Sequence, residues 1–240
     1  MKITIVTLFP HMFDGFLSES IIKRTIDKGL IEFKIVDLRE YSLDKHHHVD
    51  DTPYGGGAGM VLKCDIMDRC LEANKALNSH ICLMTPQGHQ YKQEDARRLS
   101  MLDDIILVCG HYEGFDERIR DYVDEEISIG DFVLTGGELP SMIISDSITR
   151  LLDGAILKDS YEGDSYSNGL LEYPQYTRPE IYDGKRVPDV LLSGHHANIK
   201  KYRHEESLKR TAMYRPDLLE NLNLNKEDQK VVDSVLKIKK

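Results

Sequence analysis

Two short stretches, Ile81–Met84 (ICLM) and Ile105–Cys109 (IILVC), carry only apolar side chains, and each stops at a turn containing glycine. A strand with one wet face alternates apolar and polar residues. A run that is apolar at every position has both faces covered, as in a parallel sheet flanked by helices. The rest of the first two-thirds of the chain agrees with that architecture. Ile3–Phe9, Ile31–Leu38 and Ile127–Leu134 read as further strands. Between them, Ser18–Lys28 reads as a helix with Ser18 as its N-cap and Gly29 as its stop. Ile66, Met67, Cys70, Leu71 and Leu77 mark a second helix over Asp65–Leu77. A third opens near Pro140 and keeps Ile144, Ile148, Leu151 and Leu152 on one side. Strand and helix in alternation predict an α/β domain with a mostly parallel sheet.

Beyond about residue 153 the character changes. Asp153–Gly169 is rich in Gly, Ser and Asp and reads as a mobile connection, and the segment to Pro188 reads as irregular. Helices are expected from about Ala197 to Tyr214 and again through Val231, Val232, Val235 and Leu236. The division expected is 1–156 for the α/β domain, 157–168 for a linker or lid, and 169–240 for a small helical domain. Net charge is −10, which argues against a surface coated for nucleic acid. The charge is uneven, however: residues 165–240 carry 14 Lys and Arg against 11 Asp and Glu. Lys200, Lys201, Arg203, Lys209, Arg210 and Arg215 cluster there with His195, His196 and His204. Such a patch can hold phosphate locally because charges are screened beyond about 8 Å, although a solvated helix face is the plainer reading.

The four cysteines show no CxxC pair and read as thiols of a reducing compartment, which with the absence of an apolar run of membrane length predicts a cytoplasmic chain. Pro10 interrupts the only N-terminal apolar stretch, so no signal peptide is expected. His46-His47-His48 with Asp50 and Asp51 suggests a metal site, but successive side chains of an extended segment point to alternate sides and no second cluster completes it; no metal ligands are assigned.

Ligands of open α/β sheets sit at the carboxyl ends of the strands. Three glycine-bearing turns fall there: Pro86-Gln87-Gly88, Gly110–Gly114 and Gly130–Pro140 (GDFVLTGGELP). None is a dinucleotide fingerprint or a phosphate-binding P-loop. Tyr54–Met60 (YGGGAGM) is a separate glycine loop, either a surface loop or a nest of backbone N–H groups. Asp164 and Arg150 are by default a solvated acid and a surface arginine.

Together YGGG at 54–57, PQG at 86–88, CGHYEG at 109–114, IGDFVLTGGELP at 129–140, PQYTRP at 174–179 and LSGHH at 192–196 resemble, in order, the bacterial tRNA (guanine-N1-)-methyltransferases. The resemblance runs from Ile3 to about Leu219. It implies a SPOUT-type fold with a deep trefoil knot, which connection rules would not have proposed. It implies S-adenosylmethionine held among Leu83, Pro86, Gly110, Tyr112, Glu113, Gly114, Ile129, Gly130, Asp131, Phe132, Val133, Leu134, Gly136, Gly137 and Pro140. It implies methylation of N1 of guanine 37 in tRNA, with Asp164 taking the N1 proton and Arg150 meeting the charge on O6. Gly55, Gly56, Gly57, Gly59, Ser193, His195, Lys200 and Arg203 would touch tRNA. A homodimer with each active site at the subunit interface, and a magnesium requirement, are implied too. This chain has Leu83 where the family commonly has an aromatic residue, His111 where arginine is frequent, and Glu172 where aspartate is usual. Two rivals stay open: another knotted methyltransferase acting on rRNA or on ribose, and an RNA-binding protein without catalysis.

Overall fold

The strand with no wet face is the middle of a five-stranded parallel sheet. Chain order gives β1 (Lys2–Thr7), β2 (Glu32–Asp37), β3 (Asp50–Asp51), β4 (Val61–Leu62), β5 (His80–Gln90), β6 (Asp104–Val108) and β7 (Glu125–Ser128). The sheet order is β2-β1-β6-β5-β7, with every pairing parallel; β3 and β4 form a separate antiparallel pair. Helices α1 (Asp14–Ser18), α2 (Ser20–Asp27), α3 (Cys64–Asn74), α4 (Gln93–Ser100) and α5 (Glu138–Thr149) complete the first of two compact units, Met1–Leu157 and Lys158–Lys240. The computed structural model describes residues 1–157 and 163–238, so part of the expected lid at 157–168 lies outside the described residues.

Period two along β6 accounts for its composition. Ile106 and Val108 pack on one face with Ile66, Met67 and Leu71 of α3, whereas Ile105, Leu107 and Cys109 pack on the other with Leu99 of α4 and Ile144 and Ile148 of α5. Each side chain is buried because helices cover both layers.

Several boundaries differ from the sequence reading. Ser18 ends α1 instead of capping a helix: Glu19 is extended and caps α2, whose first residue, Ser20, takes φ 55°. Helix α3 stops at Asn74, leaving Leu77 fully exposed. Ile127–Leu134 is not one strand; β7 ends at Ser128, because Gly130 takes φ 144° and its N–H turns back to the Ser128 hydroxyl. The turn at Thr85–Gly88 interrupts β5 without ending it, since Met84 and His89 both pair with Ile127 of β7.

The second unit has its own small core of Leu170, Leu208, Ala212 and Val232. It contains a hairpin, β8 (Ile181–Tyr182) and β9 (Lys185–Arg186), and helices α6 (Asp189–Leu192), α7 (His196–Tyr214) and α8 (Lys226–Ile238). The hairpin lies where irregular chain was expected. Asp183 and Gly184 both have positive φ (49° and 71°), the conformation that Asp-Gly supplies to a two-residue turn. Among the described residues no helix is long and apolar enough to cross a membrane.

At the amino ends of β5 and β7, Cys82 faces Glu125 in register. Burial alone would raise the Glu125 carboxyl. Hydrogen bonds from Arg98 (2.7 Å) on α4, from His80 (2.8 Å) and from the Cys82 thiol (3.3 Å) outweigh it and hold the carboxyl below its ordinary value. A depressed carboxyl stabilises the fold above its unfolded value of about 4.3 and loses that contribution as pH falls through the folded value. The stability gap between wild type and Glu125→Gln, measured by urea unfolding, is therefore expected to be constant from pH 7 to about 5 and to narrow below about 4; a gap independent of pH would refute the assignment. Leu107→Ala in the two-sided core is expected to cost about 2–5 kcal/mol in the same measurement.

Candidate functional site

Three loops leave the carboxyl ends of adjacent strands and enclose a cavity of about 510 Å³. Leu83–Gln87 comes from β5, Gly110–Glu117 follows β6, and the segment after β7 contributes Ile129, Gly130, Phe132–Gly137 and Pro140. Two of the glycines have no substitute by distance. A Cβ on Gly137 would lie 2.6 Å from the Cys109 Cα and 2.8 Å from the Gly110 nitrogen. One on Gly88 would lie 2.4 Å from the Glu126 carbonyl carbon and the Ile127 nitrogen. Backbone thus meets backbone, and the Gly137 N–H donates to the Gly110 carbonyl at 2.8 Å.

The walls are mostly apolar side chains and peptide groups, and the nearby cations are already engaged. The Arg120 guanidinium is held by Glu117 (2.8 Å), Glu126 and Gln87. Arg118 grips Asp116 with two nitrogens (2.8 and 2.7 Å), and that interaction chiefly lowers the Asp116 carboxyl to about 2. His111 sits edge-on to Phe9 and Tyr112, with centroids 4.8 Å apart in each case, and its buried Nδ1 has no hydrogen-bond partner among the described residues. Tyr112 takes φ 58°; burial first and a hydrogen bond to Asp50 second raise its hydroxyl above the ordinary value.

The lining contains every residue expected to hold the methyl donor except Asp131. Cavities of roughly 300–1,000 Å³ with apolar walls and a few directed polar groups are what small-molecule ligands occupy.

The other expected residues lie elsewhere. Met60 and Leu62, at the end of the glycine loop, are tied to the second turn: the Glu113 N–H donates to the Met60 carbonyl (3.1 Å) and the Leu62 N–H to the Gly114 carbonyl (2.9 Å). Gly55, Gly56, Gly57 and Gly59 all take positive φ. Ser193 and His195 shape the turn into α7, whose Asn198 N–H donates to the His195 Nδ1 at 3.4 Å. Lys200 and Arg203 are exposed on α7, and the Arg203 guanidinium lies 4.7 Å from the Tyr173 ring centre. Arg150 is the half-buried C-cap of α5 and does not line the cavity. Asp164 belongs to the second unit, half-buried in a turn where its carbonyl accepts the Ser167 N–H at 3.1 Å.

Sequence reasoning missed Glu138, the first residue of α5. It is 3% exposed, and its carboxylate accepts from the Thr7 hydroxyl at 2.7 Å. An acid in the first helical turn was the available signal; its partner 131 residues away was not. The histidine run folds around Asp44, whose carboxylate accepts the N–H groups of His46 and His48 at 3.2 Å each. Among the described residues, His80, Cys82 and Glu125 are the group spaced to hold a metal ion, and there Arg98 already occupies the carboxylate.

The family model described as tRNA (Guanine-1)-methyltransferase TrmD matches residues 1–221. A tRNA (guanine-N(1)-)-methyltransferase of Halalkalibacterium halodurans is 53% identical over 242 residues, covering 99% of this chain and 98% of the relative. One from Dehalococcoides mccartyi is 51% identical over 241 residues (98% and 97%), and one from Mycoplasmopsis agalactiae is 53% identical over 227 (94% and 100%).

Because neither backbone at the Gly137 contact can yield, Gly137→Ala is expected to lower stability by about 1–3 kcal/mol or more. Thermal unfolding checks this; an unchanged midpoint would mean that the third loop is not seated on β6.

Proposed function

The chain belongs to the tRNA (Guanine-1)-methyltransferase family, and on that premise we propose that it methylates N1 of guanine 37 in tRNA, using S-adenosylmethionine bound in the three-loop cavity. The observation that carries the reading is that cavity: fourteen of the fifteen residues the resemblance assigns to the donor line it. Bound there, S-adenosylmethionine supplies an electrophilic methyl group. The remaining chemistry falls to side chains. N1 of guanine carries a proton at neutral pH, so its lone pair is unavailable until a base removes that proton. Asp164 takes it as the new N–C bond forms, and the sulfonium's S–C electron pair leaves with sulfur. Charge then gathers on guanine O6, where the Arg150 guanidinium stabilises it by about 3 kcal/mol, judged from oxyanion donors elsewhere.

The geometry of α5 bears on how Arg150 does this. Gly137 and Pro140, at the start of the helix, line the cavity, whereas Arg150 caps its end. Twelve helical residues span roughly 18 Å, too far for an arginine to reach back. On this reading, as the resemblance implies, the site is completed between two copies of the chain, Asp164 of one reaching the cavity of the other, and the position of Arg150 is consistent with its coming from the second copy as well. Leu139 and Ile143, one turn apart on the face of α5 opposite Ile144 and Ile148, are about half exposed, as is Phe132, and Val133 is almost wholly exposed. An apolar surface of this kind suits a second copy.

The trefoil knot belongs to the same reading. Residues 157–168 act as the lid that closes over the extruded base, and Gly55–Gly59, Ser193, His195, Lys200 and Arg203 grip the tRNA backbone. Such a reaction belongs in the cytoplasm, and magnesium is given no step in it.

Transfer of label from S-adenosylmethionine to a transcript carrying guanine 37, beside one carrying adenine 37, tests the proposal. Label is expected on the first only, and Asp164→Ala is expected to lower kcat by about 10²–10⁴. Label on both transcripts would move the target elsewhere, and tRNA binding without any label would overturn catalysis altogether.

A further inference from the structure

The second unit holds a cavity of about 500 Å³ that methyl transfer leaves without a task. Tyr173 and the residues that follow it to Arg178 form one side of it, and Val187, Leu191 and Ile199 give it an apolar floor. Ile199 and Arg203 lie one turn apart on α7 and both line it, and the Arg203 guanidinium stacks over the Tyr173 ring at 4.7 Å. Tyr176 is 47% exposed, so its ring is available from solvent. The acid among the lining residues, Glu180, is paired with Arg186 at 3.0 Å, which leaves Arg178 and Arg203 to set the local charge.

Aromatic and guanidinium planes over an apolar floor, with positive charge beside them, are the chemistry that holds an unstacked base of single-stranded RNA: the planes take its faces and the charge takes its phosphate. A duplex is too wide for a cavity of this size. A site for phosphate alone would need no apolar floor. We infer that this cavity receives one unpaired base of the tRNA anticodon loop other than guanine 37, stacked between Tyr176 and the Tyr173–Arg203 pair. The assignment rests on tRNA being the substrate and adds a second point of base contact to it. Its consequence is anchoring: the contact in the second unit would hold the loop while the target base is extruded.

The test uses the full-length enzyme and transcripts with 2-aminopurine at each unpaired anticodon-loop position in turn, because stacking quenches its fluorescence. One position is expected to be quenched by the wild type and released in Tyr173→Leu and Tyr176→Leu. The KM for tRNA in those variants should rise roughly tenfold or more, with kcat much less affected and S-adenosylmethionine binding unchanged. Tyr176→Phe keeps the ring and should restore the quench, which separates stacking from a fold defect. Quenching equal in wild type and both leucine variants, or an unchanged KM, would overturn the inference while guanine 37 methylation by the wild type left the proposed function standing. A shift of the leucine variants from dimer to monomer in sedimentation would also overturn it, by making the cavity a contact between copies. A wild type that neither labels nor binds tRNA would remove both readings together.

Discussion

The contact between Gly137 and the Cys109–Gly110 backbone fixes the first unit's site. A peptide hydrogen bond of 2.8 Å and a missing Cβ let the third loop lie directly on the end of β6. That contact sets where α5 begins, and α5 in turn delivers Ile144 and Ile148 to the sheet. It also closes one side of the cavity with main chain. Gly88 meets the Glu126–Ile127 backbone of β7 just as closely. The three-loop cavity is thus built by close backbone approach.

The buried Thr7–Glu138 pair reinforces the arrangement from below. A carboxylate at 3% exposure is costly unless it is satisfied. Here the first strand's hydroxyl donates to it, and the amino end of α5 favours its charge. The acid is therefore both a helix-start feature and a link between β1 and the third loop. Cys109, also buried beside it, has its thiol raised first by burial and then by the Glu138 charge, which keeps it a packing group.

Both faces of β6 are used up by helices, so chemistry can enter only at the strand ends. The two ends differ in kind. At the carboxyl ends the glycine turns open a cavity; at the amino ends Arg98, His80 and Cys82 close around Glu125. The cavity in the second unit follows another logic, with rings and guanidinium groups in place of backbone.

The parallel sheet, the both-sided burial of Ile105–Cys109 and the placing of the three turns were legible in the chain, because hydrophobic period and glycine punctuation are local properties. So was the family, because six motifs fall in one order. Boundaries were less legible. Ser18 looked like a cap and Val133 like strand interior, since nothing local shows that Ser20 adopts positive φ or that Gly130 turns the chain away from β5. The Asp-Gly hairpin at 183–184 was a local signal that went unread. What only tertiary structure decided are the long-range coincidences: Thr7 meeting Glu138, Gly137 meeting Cys109, Tyr173 meeting Arg203, and Arg150 standing a helix length from the cavity. Sequence determines what each residue can do within a few neighbours. Which distant residue it does it with depends on how strands are ordered in the sheet, and that order is set by packing the whole chain at once.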